Sequence, residues 1–270
     1  MKLVFWSDRP GQGHVTTSML ALLGVAATKY NYKCAAIQLS HLWSNGLQQA
    51  FMDMSLVSGD YFQDNGMDAL LRTVKTGVSE GQQVVNCGFS FMNRNVDMYI
   101  PTKADIPESY YNELVTMESD VLNALDNSHD LVFIDAGSGN TSYAIKAMEE
   151  ADAIIICLPQ NTNAIRDFIR NYRIEANNIF FICGNYDNNS KMSISNFRKQ
   201  FKADLTSKNS GVILRDINFT DALAVGGISR FFLSNKKLSS KDPSHAFMKQ
   251  ANKTFVSFMN HIGFKLTLEE

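Results

Sequence analysis

Four stretches of this chain are apolar through their whole middle: KLVFW (2–6), DLVFID (130–135), AIIICLP (153–159) and NIFFICG (178–184). None alternates apolar with polar residues, and each has the length of a strand. A strand that is apolar on both faces must be covered on both, as in a parallel sheet between two layers of helices. Four weaker runs, CAAIQL (34–39), QVVNCGF (83–89), DMYIP (97–101) and GVILR (211–215), bring the set to eight. Helices are expected over 16–30, 66–76, 108–127, 140–151, 163–172, 190–206, 219–226 and 243–262. This alternation predicts an α/β fold: a doubly wound, mostly parallel sheet flanked by helices on both faces, a three-layer sandwich. No linker, repeat or low-complexity segment interrupts it, so residues 1–270 are expected to form a single domain.

Ligands of such sheets bind beyond the carboxyl ends of the strands. The residues that follow each strand therefore carry the functional reading. After the first strand comes SDRPGQGHVTT (7–17). Gly11 and Gly13 would let backbone N–H groups approach phosphate oxygens, and the next helix adds a partial positive charge. Thr16, Thr17 and Ser18 supply hydroxyls where a nucleotide loop needs a magnesium ligand. A glycine turn with a Ser/Thr helix cap explains the same letters. After DLVFID comes AGSG. Asp135 can hold magnesium, directly or through water, and Gly139 can bring a backbone N–H to a terminal phosphate. An Asp at a strand end is also a common turn former. After NIFFIC, Asn185 and Asp187 leave a strand where a side-chain amide could read a base, or where an Asx-rich turn could form.

The four cysteines, Cys34, Cys87, Cys157 and Cys183, include no C-x-x-C pair, and reduced, buried thiols are expected. Net charge is −2, but residues 191–270 hold 13 Lys/Arg against 6 Asp/Glu, while residues 1–190 hold 12 against 21. A basic end of this kind can hold nucleic acid, or can be plain solvated helix faces. No apolar stretch has the length of a membrane span. The opening MKLVFWS carries no signal-peptide pattern, so a cytoplasmic location is expected.

In this order and at these distances, the segments resemble the ParA/MinD family of P-loop ATPases, which position plasmids, chromosomes, division sites and pili. SDRPGQGHVTT stands in the place of the family's S-G-K-G-G-x-G-K-T-T loop. DLVFIDAGSG is similar to its apolar strand with Asp-x-x-x-Gly, and EADAIIICLPQN to its stretch ending Gln/Pro-Glu. FFICGNYDNNS resembles its apolar strand with Asn-x-x-Asp. GVILRDINFTDALAVG resembles its G-V-I-P-x-(D/N) segment, with Asp216 at the Asp/Asn place. The resemblance implies ATP and magnesium as ligands and a homodimer as the working form. The residues it implies for the nucleotide are Arg9, Gly11, Gln12, Gly13, His14, Val15, Thr16, Thr17, Asp135, Gly139, Asn185 and Asp216, with Thr16 and Asp135 toward the metal.

By position, Arg9 falls where the family's signature lysine reaches the partner's nucleotide. His14 takes the place of the phosphate-binding lysine, and Val15 that of the magnesium-ligand hydroxyl. A register shifted by two residues puts Gln12 at the lysine place instead. Neither register supplies a lysine. The family's Asp-x-Asp after the second strand, whose first Asp orients the attacking water, is replaced by Gln38 and Ser40. Losing the lysine removes a charge-assisted contact of about 1.5–3 kcal/mol. Losing both groups weakens hydrolysis more than binding, because phosphoryl transfer rests on positioning and charge neutralisation. The expectation is a degenerate Walker A site that binds ATP with weak or no turnover.

Some relatives of tight-adherence pilus machinery also have atypical loops, and this chain resembles them more than a standard partition ATPase. Three readings follow: an ATP-held positioning protein for a pilus or secretion system; a partition protein that binds DNA through residues 191–270; or a nucleotide-free scaffold. The apolar stripe Phe247, Ala251, Phe255, Phe258 and Ile262 reads as a helix docked on its own core rather than a membrane anchor.

Overall fold

The computed structural model describes residues 1–39, 46–52, 65–100, 107–172, 178–237 and 239–267. Eight strands form one sheet: β1 (Lys2–Ser7), β2 (Cys34–Gln38), β3 (Phe89–Phe91), β4 (Val96–Tyr99), β5 (Leu131–Ser138), β6 (Ala153–Leu158), β7 (Ile179–Tyr186) and β8 (Ser210–Leu214). Their order is β3-β4-β2-β5-β1-β6-β7-β8, and every pairing is parallel except β3 with β4. The doubly wound α/β expectation holds. The chain builds outward from β1 on one side through β5, β2 and β4, then on the other through β6, β7 and β8. The strand order therefore reverses at β1, which places the loop after β1 in the crevice where such sheets hold ligands.

The strands are apolar on both faces because both faces are covered. Leu3 and Phe5 of β1 point into one core, which α1 (Val15–Lys29) shares with α9 (Ile217–Ala224), α10 (Ile228–Ser234) and α11 (His245–His261). Val4 and Trp6 point into the other, beneath α3 (Met67–Lys75), α5 (Pro107–Ser128), α6 (Ser142–Glu149) and α7 (Thr162–Asn171). Helix α1 is buried almost all round, as its apolar composition requires. Gly24 makes this possible: a Cβ there would overlap the ring of Phe232 from α10. The stripe Phe247, Ala251, Phe255 and Phe258 of α11 is buried against the same core. Among the described residues no helix is long and apolar enough to cross a membrane. All four cysteines are free and buried, and burial pushes the Cys183 thiol up to about 12.

Two expectations fail, and two short helices were not expected. QVVNCGF (83–89) is not a strand: Gln82–Asn86 form the short helix α4, and only Phe89 enters β3. A short apolar run has no period long enough to separate a helical turn from a strand, and Gly81, at φ 81, turns the chain into the helix. The helix expected over 190–206 shrinks to α8 (Ile194–Gln200), which opens on the Ser193 cap. Helices α2 (Leu47–Phe51) and α10, five and seven residues long, went unpredicted because neither shows two full turns of periodicity. Ser40 lies outside the described residues.

Candidate functional site

The loop between β1 and α1 closes on His14, which sits in the left-handed region (φ 54, ψ 41). Gly11 (φ 71) also needs that region. Gly13 is required for space: a Cβ there would overlap the Ser7 side chain and stand 2.9 Å from the Cys157 carbonyl oxygen. Across the crevice, a Cβ on Gly184 would come within 2.8 Å of His14 Cβ and Ser18 Oγ. Gly184 thus lets the β7 end lie against the loop, and Gly13 lets the loop lie against the ends of β1 and β6. Gly184 was missed by the sequence reading, since nothing local marks it.

Helix α1 has no side-chain cap, and its first turn carries no acidic residue. Its first backbone bond is Ser18 N–H to His14 O at 2.9 Å, so the N–H groups of Val15, Thr16 and Thr17 precede the ladder. The helices after β5, β6, β7 and β8 all open on a capping side chain: Thr141, Asn161, Ser193 and Asp216. The alternative of a Ser/Thr-capped glycine turn is therefore not what forms here. Uncapped amides at a helix start, behind a glycine loop, are an anion cradle.

Thr16 donates its hydroxyl to the Asp135 carboxylate, whose other oxygen accepts Gly137 N–H at 2.9 Å. Asp135 is buried, and burial raises its pKa against the pull of these two hydrogen bonds. A hydroxyl and a carboxylate held together beside an anion cradle are a hard oxygen pair of the kind magnesium takes. Val15, at the place the resemblance gives to the hydroxyl, turns its side chain into the core instead. Because α1 begins at Val15, Thr16, about 100° further round the helix, is the residue that faces Asp135.

Other residues stand differently from their expected roles. The Arg9 guanidinium is tied within its own chain, with Nη2 3.1 Å from Asp167 Oδ2 and Nε 3.4 Å from Asp8 Oδ2. Burial raises the Asp8 pKa, with Arg9 opposing it. Gln12 is exposed, and its N–H bonds Arg9 O at 3.3 Å. Thr17 is half-buried in the first turn of α1. Burial lowers the His14 pKa. Gly139 does not offer a free donor: its N–H bonds Ser7 O at 2.9 Å and its carbonyl accepts Trp6 Nε1–H at 2.8 Å. A phosphate-sensing role for it requires that first bond to break. Asn185 is exposed at the end of β7 in the left-handed region (φ 48). The turn after it is held by Gln160, whose amide bonds Asp187 N, Asp187 O and Met192 O, a clamp the sequence did not reveal. Asp216 is turned away to a structural task, capping α9 through Phe219 N–H at 2.8 Å and accepting Ser244 Oγ–H.

Gln38 pairs with Asp135 across β2 and β5. Its Oε1 accepts Leu47 N–H at 2.9 Å, and a Cβ on Gly46 would collide with this amide. The residue at the place of the water-orienting carboxylate is a fold-building amide that anchors α2.

Neither a protein-family model nor a curated protein matches the sequence. Solved structures do match the fold. A ParA family ATPase from Chlorobium tepidum superposes with a TM-score of 0.60 at 13% identity, over 96% of this chain and 98% of its own. An ATP complex of Cyanothece McdA gives 0.60 at 16%, over 100% and 99%. The Pyrococcus horikoshii septum site-determining protein MinD, complexed with Mg-ADP, gives 0.58 at 15%, over 97% and 95%. The chain has the ParA/MinD fold. The three-layer P-loop-type sandwich is thus shared over nearly the full length at identities that speak for architecture alone.

Proposed function

We propose that this chain is a nucleotide-binding positioning protein of the ParA/MinD type, a single functional unit over residues 1–270 that takes Mg-ATP in the loop after β1. The observation that carries this reading is the uncapped start of α1 with the Thr16 hydroxyl on the Asp135 carboxylate at the switch point of the sheet. Loop amides of residues 11–17 would receive the phosphates, and Thr16 and Asp135 would hold the magnesium ion that offsets their charge. Nucleotide-bound structures of the same fold support the placement. With no lysine in the loop and Gln38 committed to α2, binding outlasts turnover, and hydrolysis is slow or absent. The protein would act in the cytoplasm as an ATP-held homodimer that localises a cellular machine, such as a pilus or secretion system. Freeing Arg9 from Asp167 for a partner's nucleotide gives up a half-exposed ion pair of at most about 1 kcal/mol.

The test is calorimetric titration of Mg-ATP into the wild type and an Asp135→Asn variant, followed by light scattering for the oligomeric state. Micromolar binding that depends on magnesium and on Asp135, with a dimer formed only under ATP, supports the reading. No heat up to millimolar Mg-ATP leaves the scaffold reading in its place.

A second reading has its own observation. Lys29, Lys236, Lys249 and His245 line one groove of about 210 Å³ between α1, α10 and α11. A partition protein would lay a DNA backbone along this basic groove. Binding to random-sequence duplex that weakens steeply between 50 and 200 mM salt, and is lost in Lys236→Gln/Lys249→Gln, would favour it. Salt-insensitive or absent binding would remove it.

A further inference from the structure

A cavity lies at the other end of the sheet. It has a volume of about 630 Å³ and opens beside the amino ends of β2 and β4 and the residues leading into β5, far along the strands from the glycine loop. That volume falls within the roughly 300–1,000 Å³ of small-molecule sites.

Its floor is polar and buried. Asp97 and His129 are 4% and 7% exposed. The His129 Nδ1 lies 3.0 Å from Leu125 O and must donate to it, since a carbonyl only accepts. Its Nε2 faces Asp97 Oδ2 at 3.3 Å, and Ser90 donates to the other carboxylate oxygen. The lining holds two cations, Lys33 and Arg94, against the one carboxylate of Asp97, whose Oδ1 takes the Ser90 hydroxyl. Aspartate, not histidine, is the middle member of this Ser–Asp–His chain, so it lacks the Ser–His–Asp order of an acyl-transfer triad. Gly88 keeps the space open: a Cβ there would stand 3.1 Å from Asp97 Cβ and the Tyr99 ring.

The rim carries two cations. Lys33 is exposed, and its Nζ donates to Arg94 O at 2.8 Å, leaving two ammonium donors. The Arg94 guanidinium makes no ion pair among the described residues. The β3–β4 turn that presents it is unusual. Met92, Asn93 and Arg94 follow one another in the left-handed region at φ 50, 58 and 66, where non-glycine residues are uncommon. The turn is pinned by Met92 in the core, by Asn95 Nδ2 on Ala27 O at 2.9 Å and by the Lys33 bond. Strain over-determined by its surroundings is what functional positions display.

We infer that this cavity is a second ligand site, for a small phosphorylated sugar or polyol, with the phosphate between Lys33 and Arg94 and the hydroxyls on the Ser90, Asn86 and Gln82 side chains above the buried Asp97–His129 pair. Lining chemistry decides the class. Val85 is the one aliphatic side chain in the lining, so an acyl chain finds little apolar surface there. Two cations over hydroxyl-binding partners match a phosphate monoester of a polyhydroxylated carbon chain.

Two histidines make the test site-specific, because His129 lies in this cavity and His14 in the glycine loop. Ribose 5-phosphate is titrated into the wild-type protein while the imidazole C–H resonances, assigned with His→Gln variants, are followed by NMR. The expected result is a saturable shift of His129 with His14 unmoved. Lys33→Gln and Arg94→Gln, both at exposed positions, should each weaken it by roughly tenfold or more. No His129 shift up to about 10 mM, a shift of His14 alone, or a His129 shift undiminished in both variants would overturn the site. Inorganic phosphate binding as tightly as ribose 5-phosphate would overturn the sugar assignment.

Discussion

His14→Lys puts the missing charge back where the resemblance expects it. His14 closes the loop immediately before the uncapped start of α1, and burial lowers its pKa, so its imidazole is neutral at pH 7.5. A neutral ring offers phosphate one hydrogen bond and no net charge. A lysine ammonium adds a charge-assisted contact of about 1.5–3 kcal/mol. At about 1.4 kcal/mol per decade, Mg-ATP should bind roughly 10- to 150-fold tighter. The backbone takes back a fraction of this, because histidine is several-fold more frequent than lysine in the left-handed region that position 14 occupies at φ 54. Calorimetry at pH 7.5 reads the gain directly. The pH profile gives a second check: wild-type affinity should rise as pH falls through the lowered His14 pKa, below 6.5, where imidazolium forms. His14→Lys should lack that step. An unchanged dissociation constant with the same pH profile would refute the placement of His14 on the phosphates. The lysine place would then pass to Gln12, and Gln12→Lys should show the gain instead.

Other consequences are as direct. Gly24→Ala should lose up to about 2 kcal/mol in denaturant unfolding, since overlap with Phe232 costs about 1–3 and the gain in helix propensity returns about 1; greater stability would contradict the packing described. Glu118 is fully buried with neither carboxyl oxygen hydrogen-bonded, and burial pushes its pKa up to about 8, against the attraction of Lys146. The folded state keeps a proton that the unfolded chain releases near pH 4.5, so stability is complete below that pH and is lost as pH rises toward 8. Glu118→Gln has no proton to lose and should gain on the wild type at about 1.4 kcal/mol per pH unit across that window; a gain equal at pH 5 and pH 8 would speak against burial as the cause. Trp6 reports on the Asp135–Gly139 segment through its bond to Gly139 O. In a Trp43→Phe background its fluorescence should change when Mg-ATP draws the Gly139 N–H from Ser7, and an unchanged spectrum at saturating nucleotide would leave Gly139 out of the site.

What could be read in the letters follows from how local each determinant is. β1, β5, β6 and β7 were legible because burial on both faces leaves an unbroken apolar run, and the strand-end rule then pointed to the glycine loop and Asp135. α4 was not, because VV flanked by glycines satisfies a strand and a helical turn equally. The contact that matters most at the site, Thr16 on Asp135, spans 119 positions. Its choice of Thr16 over Val15 depends on where α1 starts, a boundary set by the left-handed His14. The same non-locality hides the commitment of Gly139 to Ser7, the Gln160 clamp and the space that Gly184 leaves for His14. Asp216 caps α9, a use that asks for the same short carboxylate as a ligand position, so the letters alone do not separate the two.

The two departures from a standard nucleotide loop differ in depth. His14 makes no side-chain cap to α1, so one substitution can supply the charge it lacks. Gln38 is woven into the fold: its amide accepts the Leu47 N–H and occupies the space over Gly46. Gln38→Asp, one methylene shorter, would withdraw that acceptor from a buried amide and loosen α2, at a cost of about 1–3 kcal/mol. A carboxylate regained there would come with a displaced helix and would not stand where an attacking water needs orienting. Restoring the lysine should therefore tighten binding without restoring turnover, and a His14→Lys protein that hydrolyses ATP rapidly would show that the barrier lay in phosphate binding all along. On the proposed reading the uncapped α1 amides and the Thr16–Asp135 pair would serve binding and are in place, while Gln38, at the position that would serve hydrolysis, anchors α2. That division is what a protein working as an ATP-held switch requires, with nucleotide exchange rather than rapid cleavage setting its lifetime.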